Sequence, residues 1–335
     1  VFSITPKTQA EVDIVKNVSS QFETVLWSPA APEFIREEAE VHLFVPGNSS
    51  QAVRELLQTH GVTHAVMLAN TKELIEMQTR NASTDPRSGM SYYEKYHSLE
   101  DIYHWLNKTA MENPDRIKVI LIGSSFEKRP LYVLKLSAIS TTNTNKKAIW
   151  LDCGIHDSRC AGVDLNRNFD ANWCTEGASH HPCSEIFCGE FPESEPEASA
   201  VASFLRRNKE AVALYVTIHS YSQMLLFPYS CTRDLTENHA ELLSMAKEAA
   251  QKIKRYYRNN YKYGAGAETI YLAPGGSDDW AYKLGIKYSF TFELQDRGRY
   301  GFLLPPSEIP RACNEALIAL KTIALRVVER IPPPA

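Results

Sequence analysis

No apolar run in this 335-residue chain approaches the ~18–20 residues that a membrane-spanning helix needs. Charge of one sign is also scarce: the formal net charge is −4, which argues against nucleic acid or an anionic membrane as the main partner. No G-x-S-x-G elbow is present, which removes the usual signature of a serine hydrolase. No C-x-x-C pair occurs among the seven cysteines, so disulfides in an oxidising compartment fit them better than zinc thiolates. Internal repeats and low-complexity tracts are missing as well. The chain opens at Val1 without a charged-then-apolar leader, so a signal peptide is expected to have been removed or omitted.

What remains is an ordinary folded composition, 44% hydrophobic and 23% charged, in a chain long enough to bury a large core. Four N-x-[ST] sequons, at Asn17, Asn48, Asn81 and Asn107, together with cysteines crowded at Cys160, Cys174, Cys183 and Cys188, point to secretion.

The first eighty residues alternate short helical and strand patterns. "AEVDIVKNV" and "SSQAVRELLQTHG" carry helical periodicity, the second with Ser50 as an expected cap and Gly61 as its stop. "TVLW", "VHLFVP" and "THAVMLA" read as strands, completing a small α+β unit. A helix near "TKELIEMQ" leads into "TRNASTDPRSGMS", which has no apolar period. This stretch reads as a linker, and Arg87 within it is exposed to either of two readings, tether or proteolytic activation site.

Beyond the linker, Ser98 and Asp101 form a capping box for a helix whose apolar face is Ile102, Trp105 and Leu106. The runs "IKVILIG", "PLYVLKLS" and "AIWLDCG" are nearly continuous in apolar residues, as in strands covered on both faces. Helices then alternate with "AVALYVTIHSYSQ" and "KYSFTFEL", and a last helix runs from about Pro310 to Arg330. The pattern predicts an α/β fold with a mixed, mostly parallel sheet and helices on both faces, behind a small α+β domain.

In such sheets, function gathers at the carboxyl ends of strands. Three ends carry His156, His219 and Glu293, a set that a zinc hydrolase could use to polarise a carbonyl and acidify water. Each histidine taken alone is equally at home as a hydrogen-bonded core residue. "DLNRNF" offers Arg167 and Asn166 for gripping a carboxylate, or else an ordinary turn. "YLAPGGSDDW" holds Tyr271 and Asp278 in a Gly-rich loop, where a buried acid would select a cationic side chain.

"LDCGIH", "DLNRNF", "TIHSYSQ", "IYLAPGGSDDWAY" and "YSFTFELQDRGRYGFLLP", in this order, resemble the zinc metallocarboxypeptidases of the A/B type, and the first unit resembles their inhibitory prosegment. The resemblance implies residues 1–87 as prosegment and 88–335 as catalytic domain. It implies His156 and His219 as ligands of one Zn2+ and Glu293 as general base. Asn166 and Arg167 would hold the substrate's terminal carboxylate under Tyr271, and Tyr221 would line the neighbouring subsite. Asp278 would pair with a terminal Lys or Arg. It implies bridges Cys160–Cys183 and Cys174–Cys188, activation by a trypsin-like protease at Arg87, and peptide or protein substrates ending in Arg or Lys.

The sequence departs from that family at one place. There the first histidine is followed by x-Arg-Glu, the Glu being the third zinc ligand and the Arg polarising the scissile carbonyl; here His156 is followed by Asp157, Ser158 and Arg159. Only residues 157 to 163 separate His156 from "DLNRNF". A block carrying the Glu, two arginines, a helix and a strand is expected to be missing near 156–160, as by exon skipping or a gene-model error. Its loss would strand Cys153 without its usual partner and leave either unpaired strand edges or a re-paired sheet. Asp157 adjoins His156 and in a strand would point to the opposite face, so it makes a poor substitute ligand. The reading is therefore a secreted carboxypeptidase zymogen, impaired as written. Its rival is a non-catalytic binding protein that keeps the carboxylate grip without a working metal site.

Overall fold

The structure is a computed structural model that describes residues 1–80, 92–138, 146–154 and 162–330. His156, Asp157, Arg159, Cys160, Arg87 and Asn81 lie outside the described residues, and with them the second imidazole, the Cys160–Cys183 bridge, the cleavage site and one sequon.

The amino-terminal unit is a four-stranded antiparallel sheet under two helices. Its elements are β1 (Phe2–Ile4), α1 (Gln9–Gln21), β2 (Val25–Ser28), β3 (Val41–Phe44), α2 (Gly47–Thr59), β4 (His64–Val66) and α3 (Thr71–Arg80), with strand order β2-β3-β1-β4. Val12, Val15 and Val18 on α1, and Val53 and Leu57 on α2, meet Ile4, Val41 and Leu43 in one core. The Thr8 hydroxyl caps α1 by accepting from the Glu11 N–H. Helix α2 begins at Gly47, ahead of Ser50, so Ser50 lies inside the helix and is not its cap: Pro46 fixes the extended backbone one turn earlier. Gly61 does end the segment, with φ +68°. Strand β1, three residues long, carries no pattern that a sequence reading could detect.

The larger unit contains α4 (Leu99–Glu112), β5 (Ile117–Ser124), β6 (Pro130–Leu136), β7 (Ala148–Cys153), α5 (Pro196–Asn208), β8 (Val212–Ser220), β9 (Met224–Phe227), α6 (His239–Tyr257), β10 (Lys262–Ala265), α7 (Gly266–Thr269), α8 (Ser277–Lys283), β11 (Ser289–Leu294) and α9 (Ile309–Arg330). Five strands form a mixed sheet, ordered β10-β9-β11-β8-β7, in which only the β9–β11 pairing is antiparallel. Leu214, Val216, Phe290 and Phe292 pack against α6 and α9, while Tyr215 faces Phe169 and Trp280 on the other side. The expected mixed, mostly parallel sheet with helices on both faces is thus present around β8 and β11. No helix of the described residues is long and apolar enough to cross a membrane.

Strands β5 to β7 depart from that covering. β5 and β6 form a separate two-stranded sheet, and β7 is the terminal strand of the larger one. The expected box does cap α4, the Ser98 hydroxyl accepting from the Asp101 N–H at 3.1 Å. Yet no residue of α4 is buried, and Ile102 is 40% exposed. Periodicity tells which residues would be covered; here Trp105 is covered only in part, by Tyr92 and Tyr93. Among the described residues, β7 pairs on one side only, with β8.

Candidate functional site

Residues 164–169 begin with a capped single turn. The Asp164 carboxylate accepts from the Asn166 N–H at 3.0 Å, holding a short 3-10 segment from Leu165 to Arg167. Arg167 is only 2% exposed. Its Nη1 donates to the Asn166 carbonyl at 2.9 Å and stands 3.6 Å from Asp164, and its Nε donates to the Gly177 carbonyl at 3.4 Å. These contacts fix the guanidinium plane. Of the two flanking amides, Asn168 is spent on structure: its Nδ2 donates to the Cys188 carbonyl and the Ser194 hydroxyl, and its Oδ1 accepts from the Glu195 N–H.

The loop before α8 packs directly on this turn. Gly275 has φ +76°, and a Cβ there would come 2.1 Å from the Arg167 carbonyl oxygen, so no other residue fits. Asn166 Oδ1 accepts from the Ser277 N–H at 3.1 Å, tying the turn to the first turn of α8. The paired acids then divide. Asp279 turns inward and accepts from the N–H groups of Ser230 and Cys231. Asp278 faces the cavity and accepts from the Thr291 hydroxyl at 2.8 Å. Burial raises the Asp278 pKa, opposed by the Thr291 hydrogen bond and by the Arg167 charge.

These groups converge. A small cavity of about 50 Å³ is lined by Asn166, Arg167, Tyr271, Asp278, Thr291 and Glu293. Asn166, Arg167, Tyr271, Asp278 and Glu293 were singled out in the sequence, whereas Leu226, Ser230, Ile270, Ala273, Gly276 and Thr291, which complete the lining, were not. A threonine in "YSFTFEL" is unremarkable until Asp278 is brought beside it. Glu293 sits directly opposite His219 in the parallel β8–β11 pair, so both side chains stand on one face of the sheet. His219 is buried, with Nε2 2.9 Å from the Thr217 hydroxyl.

A catalytic zinc takes three protein ligands. The described residues bring one imidazole, His219, to this point, beside the carboxylate expected to act as base. Elsewhere among the described residues, Cys174, His180 and Cys188 approach one another closely enough for a metal. Their two sulfurs are joined as the expected Cys174–Cys188 disulfide and offer no thiolate. The donor set of the described residues therefore does not fit a catalytic zinc.

The amino-terminal unit covers the cavity's mouth. Phe34 stacks on Tyr271 with centroids 4.7 Å apart, and burial raises the Tyr271 pKa against the opposing Arg167 charge. Tyr221, the residue expected at the neighbouring subsite, is buried with its hydroxyl 2.7 Å from His42 Nδ1. Trp27 meets Phe302 edge to face at 5.4 Å. Gly298 and Gly301 leave room for this approach: a Cβ on either would strike His42 or Trp27. None of these three prosegment residues was legible as a contact, because partners more than 170 positions away carry no local signal.

The same contact carries a titratable group. Glu185 accepts from the Leu26 N–H, and burial pushes its pKa up to about 7. A carboxyl whose pKa is raised in the docked state favours docking below its ordinary pKa, and that favour is lost as pH rises through the raised value. Dissociation of the cut amino-terminal unit is expected to speed up about tenfold between pH 5.5 and 8. Glu185→Gln should flatten that rise, as followed by stopped-flow fluorescence of Trp27; an unchanged pH profile in the variant would remove Glu185 from the account.

Comparison with known proteins supplies the lineage. The family model "Carboxypeptidase activation peptide" matches residues 2–78, and "Zinc carboxypeptidase" matches residues 102–158 and 157–319. Carboxypeptidase B2 of Bos taurus is 41% identical over 398 aligned positions, covering 99% of this chain and 94% of the relative. Carboxypeptidase B of Bos taurus is 35% identical over 396 positions, covering 99% and 94%. A crystal structure of thrombin activatable fibrinolysis inhibitor superimposes with a TM-score of 0.94 at 41% identity, covering 98% of both chains. Carboxypeptidase A from Helicoverpa armigera shares the fold at a TM-score of 0.82 and 23% identity, covering 98% and 97%. The chain belongs to the zinc carboxypeptidase family and carries that family's activation peptide ahead of its catalytic region.

Proposed function

We propose that this chain is a secreted zymogen, residues 1–87 the prosegment and 88–335 the catalytic domain, whose pocket receives the C-terminal Arg or Lys of peptides and proteins but whose hydrolytic step is impaired. One observation carries the reading: Asn166, Arg167, Tyr271 and Asp278 line a single cavity, with Glu293 beside them. Arg167 and Asn166 supply fixed donors for a terminal carboxylate. Asp278, buried and oriented by Thr291, pairs with a cation and leaves an apolar side chain facing an unpaired carboxylate. Tyr271 closes the site once Phe34 withdraws, and Tyr221 lines the next subsite once His42 leaves it. Cleavage at Arg87 by a trypsin-like protease permits both.

The impairment rests on the metal side. The two matched segments of the catalytic family meet and overlap at residues 157–158. The alignment with carboxypeptidase B2 spans 398 positions against 335 residues, so at least 63 positions of the relative have no counterpart. Both support a block lost just after His156, and with it the third ligand and the polarising arginines. His156 and His219 are the two imidazoles left to hold Zn2+. Secretion accords with the sequons: Asn17, Asn48 and Asn107 are exposed. The kinship with thrombin activatable fibrinolysis inhibitor makes partly degraded fibrin a substrate to try. The second reading, a binding protein without catalysis, is favoured by the incomplete donor set.

The test uses protein cut at Arg87. A peptide ending in Arg should bind at least ten times more tightly than the same peptide ending in Phe or in an amide. Asp278→Asn should lower the Arg-peptide affinity about 10–100-fold, as hydrogen bonds to a charged partner weaken, and leave the Phe-peptide unchanged. Equal affinity for Arg, Phe and amide ends would sink the pocket assignment. Release of free arginine in the same tubes separates the impaired enzyme from the pure binder.

A further inference from the structure

The amino-terminal unit seats one of its own side chains in the surface that it covers. His42, on β3, is only 4% exposed and lies against the larger unit. Its ring plane is 19° from that of Tyr221, with centroids 5.8 Å apart, and its Nδ1 stands 2.7 Å from the Tyr221 hydroxyl. Gly298 forms a second wall, where a Cβ would strike His42 Cε1. Phe302 braces Tyr221 edge to face at 4.9 Å. The seat thus takes a flat ring against Tyr221 and meets a nitrogen at the ring's edge.

The larger unit builds this seat from its own groups. Asp296 accepts from the N–H groups of Gly298 and Tyr300 at 2.7 Å and of Gly301 at 3.1 Å, which holds the wall in place. Of the two ring nitrogens, Nδ1 is served by Tyr221. Nε2 faces Glu40 of the amino-terminal unit at 3.3 Å, and Glu40 is held in turn by the Ser3 hydroxyl. When that unit departs, Glu40 leaves with it. The stacking face and the Tyr221 hydroxyl stay behind.

Register along the sheet says which residue of a peptide would reach the seat. Thr291, which orients Asp278, and Glu293 are alternate residues of β11 on one face. Leu294 follows, opposite Ser220 of β8, and Tyr221 is the next residue of the chain after Ser220. From the pocket floor outward the order is Asp278, Glu293, Tyr221. A terminal side chain that pairs with Asp278 has its main chain near Glu293 and its preceding neighbour beside Tyr221.

We propose that the seat held by His42 is a specificity subsite for the residue just ahead of a terminal Arg or Lys, and that it selects a flat ring, histidine first. The assignment rests on the pocket proposed above for the terminal residue. His42 stands in for a substrate side chain, so the amino-terminal unit and a peptide ending in His-Arg compete for one place. Histidine gains both the stacking on Tyr221 and the hydrogen bond to its hydroxyl, phenylalanine the stacking alone, and alanine neither.

The test titrates protein cut at Arg87, both pieces present, with fluorescent peptides ending in His-Arg, Phe-Arg, Ala-Arg or His-Arg-amide, read by anisotropy. His-Arg should bind about tenfold more tightly than Ala-Arg, with Phe-Arg between them. Tyr221→Phe removes the hydroxyl and keeps the ring, and should bring His-Arg down to the level of Phe-Arg. His42→Ala should release the cut amino-terminal unit about tenfold faster, as followed by stopped-flow fluorescence. Equal binding of His-Arg and Ala-Arg, both tighter than the amide, overturns the subsite and leaves the terminal pocket standing. Equal binding of the acid and the amide removes both. A margin of His-Arg over Phe-Arg that survives Tyr221→Phe overturns the subsite, as does an unchanged release rate in His42→Ala.

Discussion

Protein cut at Arg87, equilibrated with excess zinc and then gel-filtered, is expected to carry well under one zinc ion per chain. It is also expected to release arginine from a C-terminal Arg peptide at a rate on the order of 10³-fold below that of a complete enzyme. Three protein ligands are the rule for a catalytic zinc. Losing even an outer-sphere partner of such a ligand costs about 10–100-fold in affinity or activity, and a missing direct ligand costs more. The described residues supply His219, next to Glu293, and the chain offers His156 without the Arg-Glu pair that should follow it. Loss of one preorganised donor to a developing oxyanion costs about 10²–10³ in kcat by itself. Emission spectrometry reads the metal, and chromatographic detection of arginine reads the turnover. Near-stoichiometric zinc with brisk turnover would mean that another group of the chain completes the site.

Arg167→Ala should be the most damaging single change in the pocket. The guanidinium is buried beside Asp164, itself 5% exposed, and removing it breaks a buried ion pair 3.6 Å long. Breaking such a pair costs about 3–5 kcal/mol; the lower end is expected because Asp164 still accepts from the Asn166 N–H. Urea unfolding should register this as a lower midpoint with an unchanged slope. Affinity for a terminal carboxylate should vanish together with the discrimination against peptide amides. Arg167→Lys separates the two effects: the charge is kept, so most stability returns, but an ammonium cannot reproduce the planar fork, and carboxylate affinity stays down about 10–100-fold. Full carboxylate affinity in the lysine variant would remove the fork from the recognition scheme.

Much of the pocket was legible because its residues sit in two short, chemically unusual stretches. "DLNRNF" and "APGGSDDW" announce a turn with a fixed arginine and a Gly-rich loop with paired acids. Even so, the sequence could not say that Asp279 turns to the amides of Ser230 and Cys231 while Asp278 takes the cavity, nor that Asn168 is consumed by Cys188, Ser194 and Glu195. Those assignments need the approach of segments far apart in the chain. Helices α1, α4, α6 and α9 were legible from periodicity and caps. Strands β1, β9 and β10 were not: β1 is three residues at the chain's start, β9 follows β8 after only three residues, and β10 is a short "KYGA" without apolar alternation.

By itself, the sequence determined the alternation of elements and the lineage, since both are written in local patterns and ordered motifs. Only the tertiary structure decided which faces are covered. The apolar runs of β7 and the striped helix α4 look as buried on paper as β8 and α6 do, yet Ile149, Leu151 and Ile102 stand in solvent. Periodicity records a side chain's preference for burial. Whether that preference is met depends on a neighbour that the strand or helix does not itself encode.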